Sequence, residues 1–566
     1  MIGVDGGTLK VVEPWAKAGY LPNWARVMAE GCWGPMRSTY PGLTAPAWMS
    51  FKTGKHPGKT GIYDFFYRNP KTMRHHVVSA KDCQEPDLID ILNSQGKRVG
   101  MLFEPTSFPA RPLDGFMISG FLSSQYVEGG YTYPEDLFET HHITEREKLR
   151  KVTTIGECYR ENRLDEFRDA VIENIRKQAE TALLLMKAET WDCFFVHFFG
   201  SDTICHGMWK FMDVENPESG KEHAGAVLRV YQEIDRQIGV LMDELGPGGL
   251  TIILSDHGFG RGKEQINVNN WLLEQGLLYL RPTTYPIAVR ALETLRARRG
   301  GWRDQWQRRY AVSALITGLP LYSLLPRAGQ QVVDGWLNRV LDRRPRLKSL
   351  SMEQTFYFDQ IDWSRTRAYA IGARGGIFIN LQGREAAGIV PPADYEPLRD
   401  WIIQHVNQIR TPSGELAIAN ACRREDVYGG PYLDRAPDVV TVTEELGFLV
   451  RATIGDQVIE PNPQTISGLH RSEGMLFLHG PGVRAGAELR DASIVDVLPT
   501  LLFYMELGIP DDLDGKPLVG TALPEYLQAQ PPRTVSPLGP RTRGEDGTSD
   551  ERDDALVETL TALGYL

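Results

Sequence analysis

Three short apolar runs, far apart in the chain, each end on an acidic residue: "MIGVDG" at the start, "CFFVHFFGSD" from Cys193 and "LTIILSDHG" from Leu250. Runs of this length, stopped by glycine or an acid, read as strands buried on both faces, the habit of parallel sheets covered by helices. Parallel strands need crossover connections. Between the second and third runs, "AGAVLRVYQEIDRQIGVLMDEL" places apolar residues at helical spacing. "SIVDVLPTLLFYMEL", near residue 500, reads as a late helix of the same core. The expected fold class is therefore α/β, with a mostly parallel central sheet flanked by helices. In such sheets ligands bind beyond the carboxyl ends of the strands, so Asp5, Asp202 and Asp256 should converge there. The first strand begins almost at Met1, which suggests a strand shortened at its start.

At 566 residues the chain exceeds one ordinary core. We read residues 1–280 as the first part of a catalytic core and 361–525 as its second part. Between them, residues 281–360 change character. "RALETLRARRGGWRDQWQRRY" and "LNRVLDRRPRLKSL" are strongly basic in a chain of net charge −11, and mark an inserted helical cap. Such a face is either simply solvated or attracts phosphates or an anionic membrane surface. Residues 526–552 have the composition of a disordered linker, and 553–566 that of a short terminal helix. The net acidic charge argues against general nucleic-acid binding. Six scattered cysteines without a CxxC pair fit a reducing compartment. The N-terminus lacks a basic leader and long apolar run. "AVSALITGLPLYSLLP", from Ala311, is short for a bilayer span and broken by Gly-Leu-Pro, so it reads as a buried or interfacial helix. The expected location is cytoplasmic.

The chemistry-bearing residues sit at strand ends or in glycine-flanked turns. Asp202 and His206 form a D-x-x-x-H pair in "GSDTICHGMW"; Asp256 and His257 are adjacent in "LSDHGFG"; His470 lies in "SGLHRSEG". Singly, each has an ordinary explanation as a turn, cap or surface residue. Together with Asp5, they make three carboxylates and three imidazoles, a donor set suited to two divalent ions of the zinc or manganese kind. "YPGLTAPAWMSFKTG", residues 40–54, adds a hydroxyl, Thr44, between a Pro-Gly turn and an apolar segment, where it reads as a helix cap.

With these residues in this order, the chain resembles the alkaline phosphatase superfamily, in its type I phosphodiesterase and nucleotide pyrophosphatase group. More closely, it is similar to large bacterial proteins described as phosphohydrolases or phosphomutases. The resemblance runs from Asp5 to about Leu518. It implies an alkaline-phosphatase-like core in which Asp5, Asp256, His257 and the Thr44 oxygen hold one ion, and Asp202, His206 and His470 the other. It also implies that Thr44, at the nucleophile position of a segment like "YPGLTAPAWMSFKTGKHPGKTGIYDF", is the nucleophile; the sulfatase C/S-x-P-x-R motif differs, since "TAPAW" lacks its Cys and Arg. Coordination to a dication would lower the hydroxyl's pKa, and a helix starting at Ala45 would add its dipole and free N–H groups. The expected activity is a two-metal phosphohydrolase that cleaves a phosphodiester or pyrophosphate of a small phosphorylated substrate through a phospho-threonine. A phosphomutase or phosphomonoesterase would use the same site; a non-catalytic scaffold would have no need of it.

One position departs from the group. Its asparagine, about twenty residues after the nucleophile, donates to a phosphate oxygen; the match here is Asp64 in "TGIYDFF", which cannot donate when ionised. Either Asp64 faces a lysine such as Lys52 or Lys55, or the substrate is held differently. Further candidate substrate contacts are Asn267, with Asn269 and Asn270 in "INVNNWLLEQGLL", Arg374 in the Gly-rich "IGARGGIFINLQGRE", and Arg471. The asparagines could equally cap a turn and helix, and Arg471 could form a salt bridge. His197, amid "FFVHFFG", reads as a core histidine.

Overall fold

The computed structural model describes residues 1–120, 129–143, 155, 158–159, 161–213, 216, 219–220, 222–281, 360–455, 457–462 and 466–541. The three apolar runs become strands β1 (Ile2–Val4), β6 (Cys193–Phe198) and β7 (Thr251–Leu254), buried along their whole length. They belong to a ten-stranded sheet with β2 (Cys32–Arg37), β3 (Val99–Leu102), β4 (Gly115–Ile118) and β5 (Thr132–Tyr133). Its centre is parallel: β1 lies between β6 and β7, with Gly3 opposite His197 on one side and Leu254 on the other. Further along, β3 pairs parallel with both β6 and β4. On the other side of β7, strand β14 (Glu473–His479) runs antiparallel and links it to β2.

Helices cover both faces. On one face, α1 (Thr44–Thr53) is buried at every residue. It seats closely because β1 carries glycine at its middle: a Cβ on Gly3 would lie 2.7 Å from the Trp48 ring. The helix expected between the second and third runs is α3 (Ala226–Leu245), which follows α2 (Gly200–Met208). It buries Val227, Val230, Tyr231, Ile234, Ile238, Leu241 and Met242, the spacing read from the sequence.

Residues 368–442 build a separate sheet. Strands β9 (Ala368–Ile371), β10 (Gly376–Ile379), β11 (Asn420–Arg423) and β12 (Val439–Val442) are antiparallel, in the order β9-β10-β12-β11. Together with α4 (Pro392–Val406) they enclose their own apolar cluster, which includes Tyr369, Phe378 and Ile402. A two-stranded ribbon, β8 (Gly258–Arg261) with β13 (Gly468–Arg471), places Phe259 opposite His470.

Residues 282–359 of the expected basic insertion lie outside the described residues, and so does the apolar segment from Ala311. The chain on either side is bridged, Leu280 to Ile361, with the Arg281 N–H donating to Gln360 O at 2.7 Å. The expected linker 526–552 needs correction as far as Arg541. A helix over Pro524–Ala529 and a strand over Arg533–Val535 are present, the strand pairing in parallel with Gly508–Pro510. Pro-rich composition signals little to bury, but Tyr526 and Leu527 pack on the core, and backbone pairing with the Arg541–Asp87 ion pair at 3.0 Å holds the rest. The rest of the linker and the terminal helix lie outside the described residues. Among the described residues no helix is long and apolar enough to cross a membrane.

Candidate metal centre

Asp5 follows β1, Asp256 and His257 follow β7, and Asp202 lies in the first turn of α2, just after β6. His206 comes from one turn further along α2, and His470 from the ribbon strand β13. All six side chains are buried, at 5% exposure or less. They gather into two groups whose candidate ligand atoms lie within 4.8 Å of one another: Asp5, Asp256 and His257, and Asp202, His206 and His470. The groups adjoin, because Asp202 Oδ1 lies 3.3 Å from His470 Nε2 and 3.9 Å from His257 Nε2.

The hydrogen bonds around these residues aim their free atoms inward. His206 Nδ1 donates to Gly468 O at 3.0 Å, and His470 Nδ1 to Gly42 O at 2.9 Å. A carbonyl only accepts, so each ring carries its proton on Nδ1 and turns a lone pair on Nε2 inward, the usual arrangement of a metal-ligating histidine. Those two Nε2 atoms are 3.0 Å apart. Asp256 Oδ1 accepts the Gly6 N–H at 3.0 Å. Asp5 Oδ2 accepts from Trp48 Nε1 and from His197 Nε2, both at 2.9 Å. Asp5 Oδ1, Asp256 Oδ2 and His257 Nε2 have no hydrogen-bond partner among the described residues.

Electrostatics point the same way. Burial, followed by the charge of Asp202, pushes the Asp5 carboxyl well above the usual range. Burial and the charge of Asp5 do the same to Asp256. Burial holds His257 and His470 well below the ordinary imidazole value, helped by His470 in the first case and by Arg374 in the second. Neutral imidazoles facing buried, mutually repelling carboxylates form a site that gains from positive charge, and the donor set fits divalent cations.

Thr44 is fully buried, and its hydroxyl lies close enough to the Asp5 carboxyl to pull that group's pKa down against burial. The cap reading needs correction. Thr44 is the first residue of α1, Leu43 is the N-cap, and no side chain caps the helix. The hydroxyl is turned to Asp5, and the N-terminus of α1 is left facing the same centre.

The secondary candidates separate. Asn267 uses both polar ends on the fold: Nδ2 donates to Gln457 O at 2.8 Å, and Oδ1 accepts from Gln265 and Thr453. Asn269 and Asn270 likewise bond to backbone, at Ala370, Ala452 and Gly455. Arg471 donates to the carbonyls of Leu469, His470 and Arg261. These four residues lock strands and turns, which a residue type beside a motif does not reveal. The lysine expectation for Asp64 also fails. Lys52 pairs with Glu104, and Lys55 with Glu85 and Asp512. Asp64 instead accepts the N–H groups of Phe65 and Ala373. Only Arg374, of these candidates, reaches the centre with donors to spare: its Nη2 lies 3.5 Å from Gly42 O, the carbonyl that also holds His470.

Two residues escaped the sequence reading. Trp48 and His197 both orient Asp5. His197 is a core histidine, pushed down to about 3 by burial, yet its neutral ring is spent on the aspartate. The available signal was its place in a buried strand beside the strand that carries Asp5.

The comparisons with known proteins agree with this geometry. Residues 1–474 match the model of the family described as type I phosphodiesterase / nucleotide pyrophosphatase. No curated protein matches the chain. Among solved structures, phosphonoacetate hydrolase from Sinorhizobium meliloti 1021, in complex with phosphonoformate, aligns with a TM-score of 0.50 at 13% identity, over 88% of this chain and 93% of that one. Human ectonucleotide pyrophosphatase / phosphodiesterase 5 aligns with a TM-score of 0.46 at 12% identity, over 94% of this chain and 99% of that one. With the family model covering most of its length and two buried Asp/His clusters at its sheet edge, this chain belongs to the type I phosphodiesterase / nucleotide pyrophosphatase family, a metal-dependent phosphohydrolase on an alkaline-phosphatase-like fold.

Proposed function

We propose that the protein hydrolyses a phosphoric ester or anhydride of a small phosphorylated substrate, with Thr44 as nucleophile and a phospho-threonine as intermediate. The family match favours a phosphodiester or pyrophosphate. The observation that carries the reading is the fully buried Thr44 hydroxyl, at the start of a buried helix and close to Asp5 of the first ligand cluster.

Asp5, Asp256, His257 and the Thr44 oxygen would hold one divalent ion, zinc or manganese, and Asp202, His206 and His470 the second. Bound there, the ions would lower the pKa of the hydroxyl and offset charge building on the phosphoryl oxygens. The chain's own residues do the rest. Asp5 is fixed by Trp48 and His197 and orients the Thr44 oxygen. The α1 N-terminus favours the phosphoryl oxygens through its dipole and free N–H groups. Burial of the whole centre excludes bulk water and strengthens these interactions. Transfer to Thr44 releases the alcohol or phosphate leaving group. Water then restores the hydroxyl, or a bound alcohol takes the phosphoryl group in the phosphomutase variant of the same site.

Aryl phosphate monoesters and diesters assayed with zinc- or manganese-reconstituted protein test this. Turnover by the native chain, with acid-quenched phosphate on Thr44 that vanishes in Thr44→Ala, is expected. No turnover of either ester, or full activity in the variant, would overturn it.

A further inference from the structure

Arg374 is only 9% exposed. Among the described residues its Nε has no hydrogen-bond partner, and its only hydrogen bond is the weak 3.5 Å contact from Nη2 to Gly42 O. A guanidinium has five donors, and leaving them unused in a buried position is costly. Arg471, close by, shows the settled alternative, with three backbone carbonyls accepting from it. Arg374 therefore has donors to spare beside Gly42, two residues before Thr44. Its positive charge also reaches His470, His257 and His206. Its side chain lines a cavity of about 50 Å³ shared with Tyr40, Asp64 and Thr441.

What holds Arg374 there is a turn from the small sheet. Gly372 has φ of +89°, and a Cβ at that position would sit 2.5 Å from an Asp64 carboxylate oxygen. Both Asp64 oxygens accept the Ala373 N–H, at 3.0 and 3.2 Å. Asp64 thus pins the backbone one residue before Arg374.

We propose that Arg374 binds the non-bridging oxygens of a terminal phosphoryl group at the metal centre, and that Asp64 is the residue positioning it. The site then favours a phosphomonoester, or the end phosphate of a pyrophosphate, over the bridging phosphate of a diester. A terminal phosphoryl group carries close to two negative charges near neutral pH and offers an extra oxygen to a planar fork of N–H donors. A diester has one charge and presents a second ester group at that place. The inference rests on the phosphohydrolase reading above and narrows its substrate.

The test compares kcat/KM for an aryl phosphate monoester and its methyl diester, in full-length proteins each shown to hold two ions per chain. Arg374→Ala should lower the monoester value about 30-fold more than the diester value, the scale of lost charge-assisted hydrogen bonds. Asp64→Ala should shift the same ratio in the same direction, adding little to Arg374→Ala in the double variant. Asp64→Asn, which keeps an acceptor for the Ala373 N–H, should restore it. A general structural defect would instead lower both substrates together. Calorimetric titration with inorganic phosphate supplies a reading independent of turnover, with about 10-fold weaker binding expected in Arg374→Ala. Equal losses on both esters, with phosphate affinity unchanged within twofold, would overturn the inference and leave the phosphohydrolase reading standing. If the native protein turned over neither ester, that reading would fall, and the phosphate titration alone would still decide the role of Arg374.

Discussion

The central ten-stranded sheet and the four-stranded sheet contribute in opposite ways around the Gly42 carbonyl. From the central sheet and the elements that follow its strands come Asp5, Asp202, His206, Asp256 and His257, all buried, with Asp5, His206 and Asp256 aimed by hydrogen bonds to backbone or to neighbouring rings. The ribbon adds His470, held to Gly42 at 2.9 Å. From the four-stranded sheet comes one group, Arg374, on a turn and held by a single long hydrogen bond. On the proposed reading, the first region holds the cations and the second supplies positive charge for the substrate's terminal phosphoryl group. Exact placement of metal ligands needs the rigid ends of buried strands, whereas a long arginine can reach a substrate from a separate unit.

The comparison breaks most readily at the first region. Asp256→Ala should cost at least about 10³-fold in turnover and lower bound metal from two ions toward one, because one buried carboxylate serves both ion and backbone. Thr44→Ala should cost a similar factor, at least about 10³-fold, while keeping both ions, since Asp5, Asp256 and His257 remain to hold the first one when the nucleophile's oxygen is lost. Metal analysis on the two variants separates these outcomes; loss of both ions from Thr44→Ala would mean that the hydroxyl is a structural ligand only.

A smaller effect sharpens the contrast between the two arginines. Arg471→Met should destabilise the fold by about 1–3 kcal/mol, as three buried carbonyls lose their donor. The monoester-to-diester ratio should stay as in the native chain, unlike in Arg374→Ala. Denaturant unfolding with parallel kinetics checks this, and a shift in the ratio would place Arg471 in substrate recognition after all.

The smallest effect concerns pH. Burial pushes the Asp64 carboxyl up to about 7, although the N–H groups of Ala373 and Phe65 and the charge of Arg374 pull it back. The unfolded value is an ordinary one near ~3.9. The folded chain therefore keeps a proton that the unfolded chain has lost between those values. This stabilising contribution is complete below the unfolded pKa and is lost as pH rises through about 7. Asp64→Asn should flatten the fall in Tm between pH 5 and pH 8; an unchanged slope would show that Asp64 is ionised throughout.

Much of the centre was legible because each metal-ligand candidate is attached to a strand that the sequence announces. Asp5, Asp202 and Asp256 close apolar runs, and parallel strands bring their carboxyl ends to one edge whatever their separation along the chain. His470 was legible only through its company, since "SGLHRSEG" contains no strand signal of comparable length. The contacts around the centre were not legible in the same way. Asn267 and Arg471 stand beside motifs and carry suitable donors, but whether those donors meet backbone depends on strand pairing across some two hundred residues. The four-stranded sheet was hidden because "AYAI" and "GIFI" are short and carry no acid at their ends. The stretch from Pro524 to Arg541 read as unstructured because its order rests largely on strand pairing and on ion pairs of Arg541, with only Tyr526 and Leu527 adding apolar packing.

The central claim is that two divalent ions sit between these six side chains. Elemental analysis of the full chain, reconstituted with zinc or manganese and then dialysed, measures it directly. The geometry predicts close to two ions per chain, falling toward one in His470→Ala. Much less than one ion per chain in the native protein would contradict it.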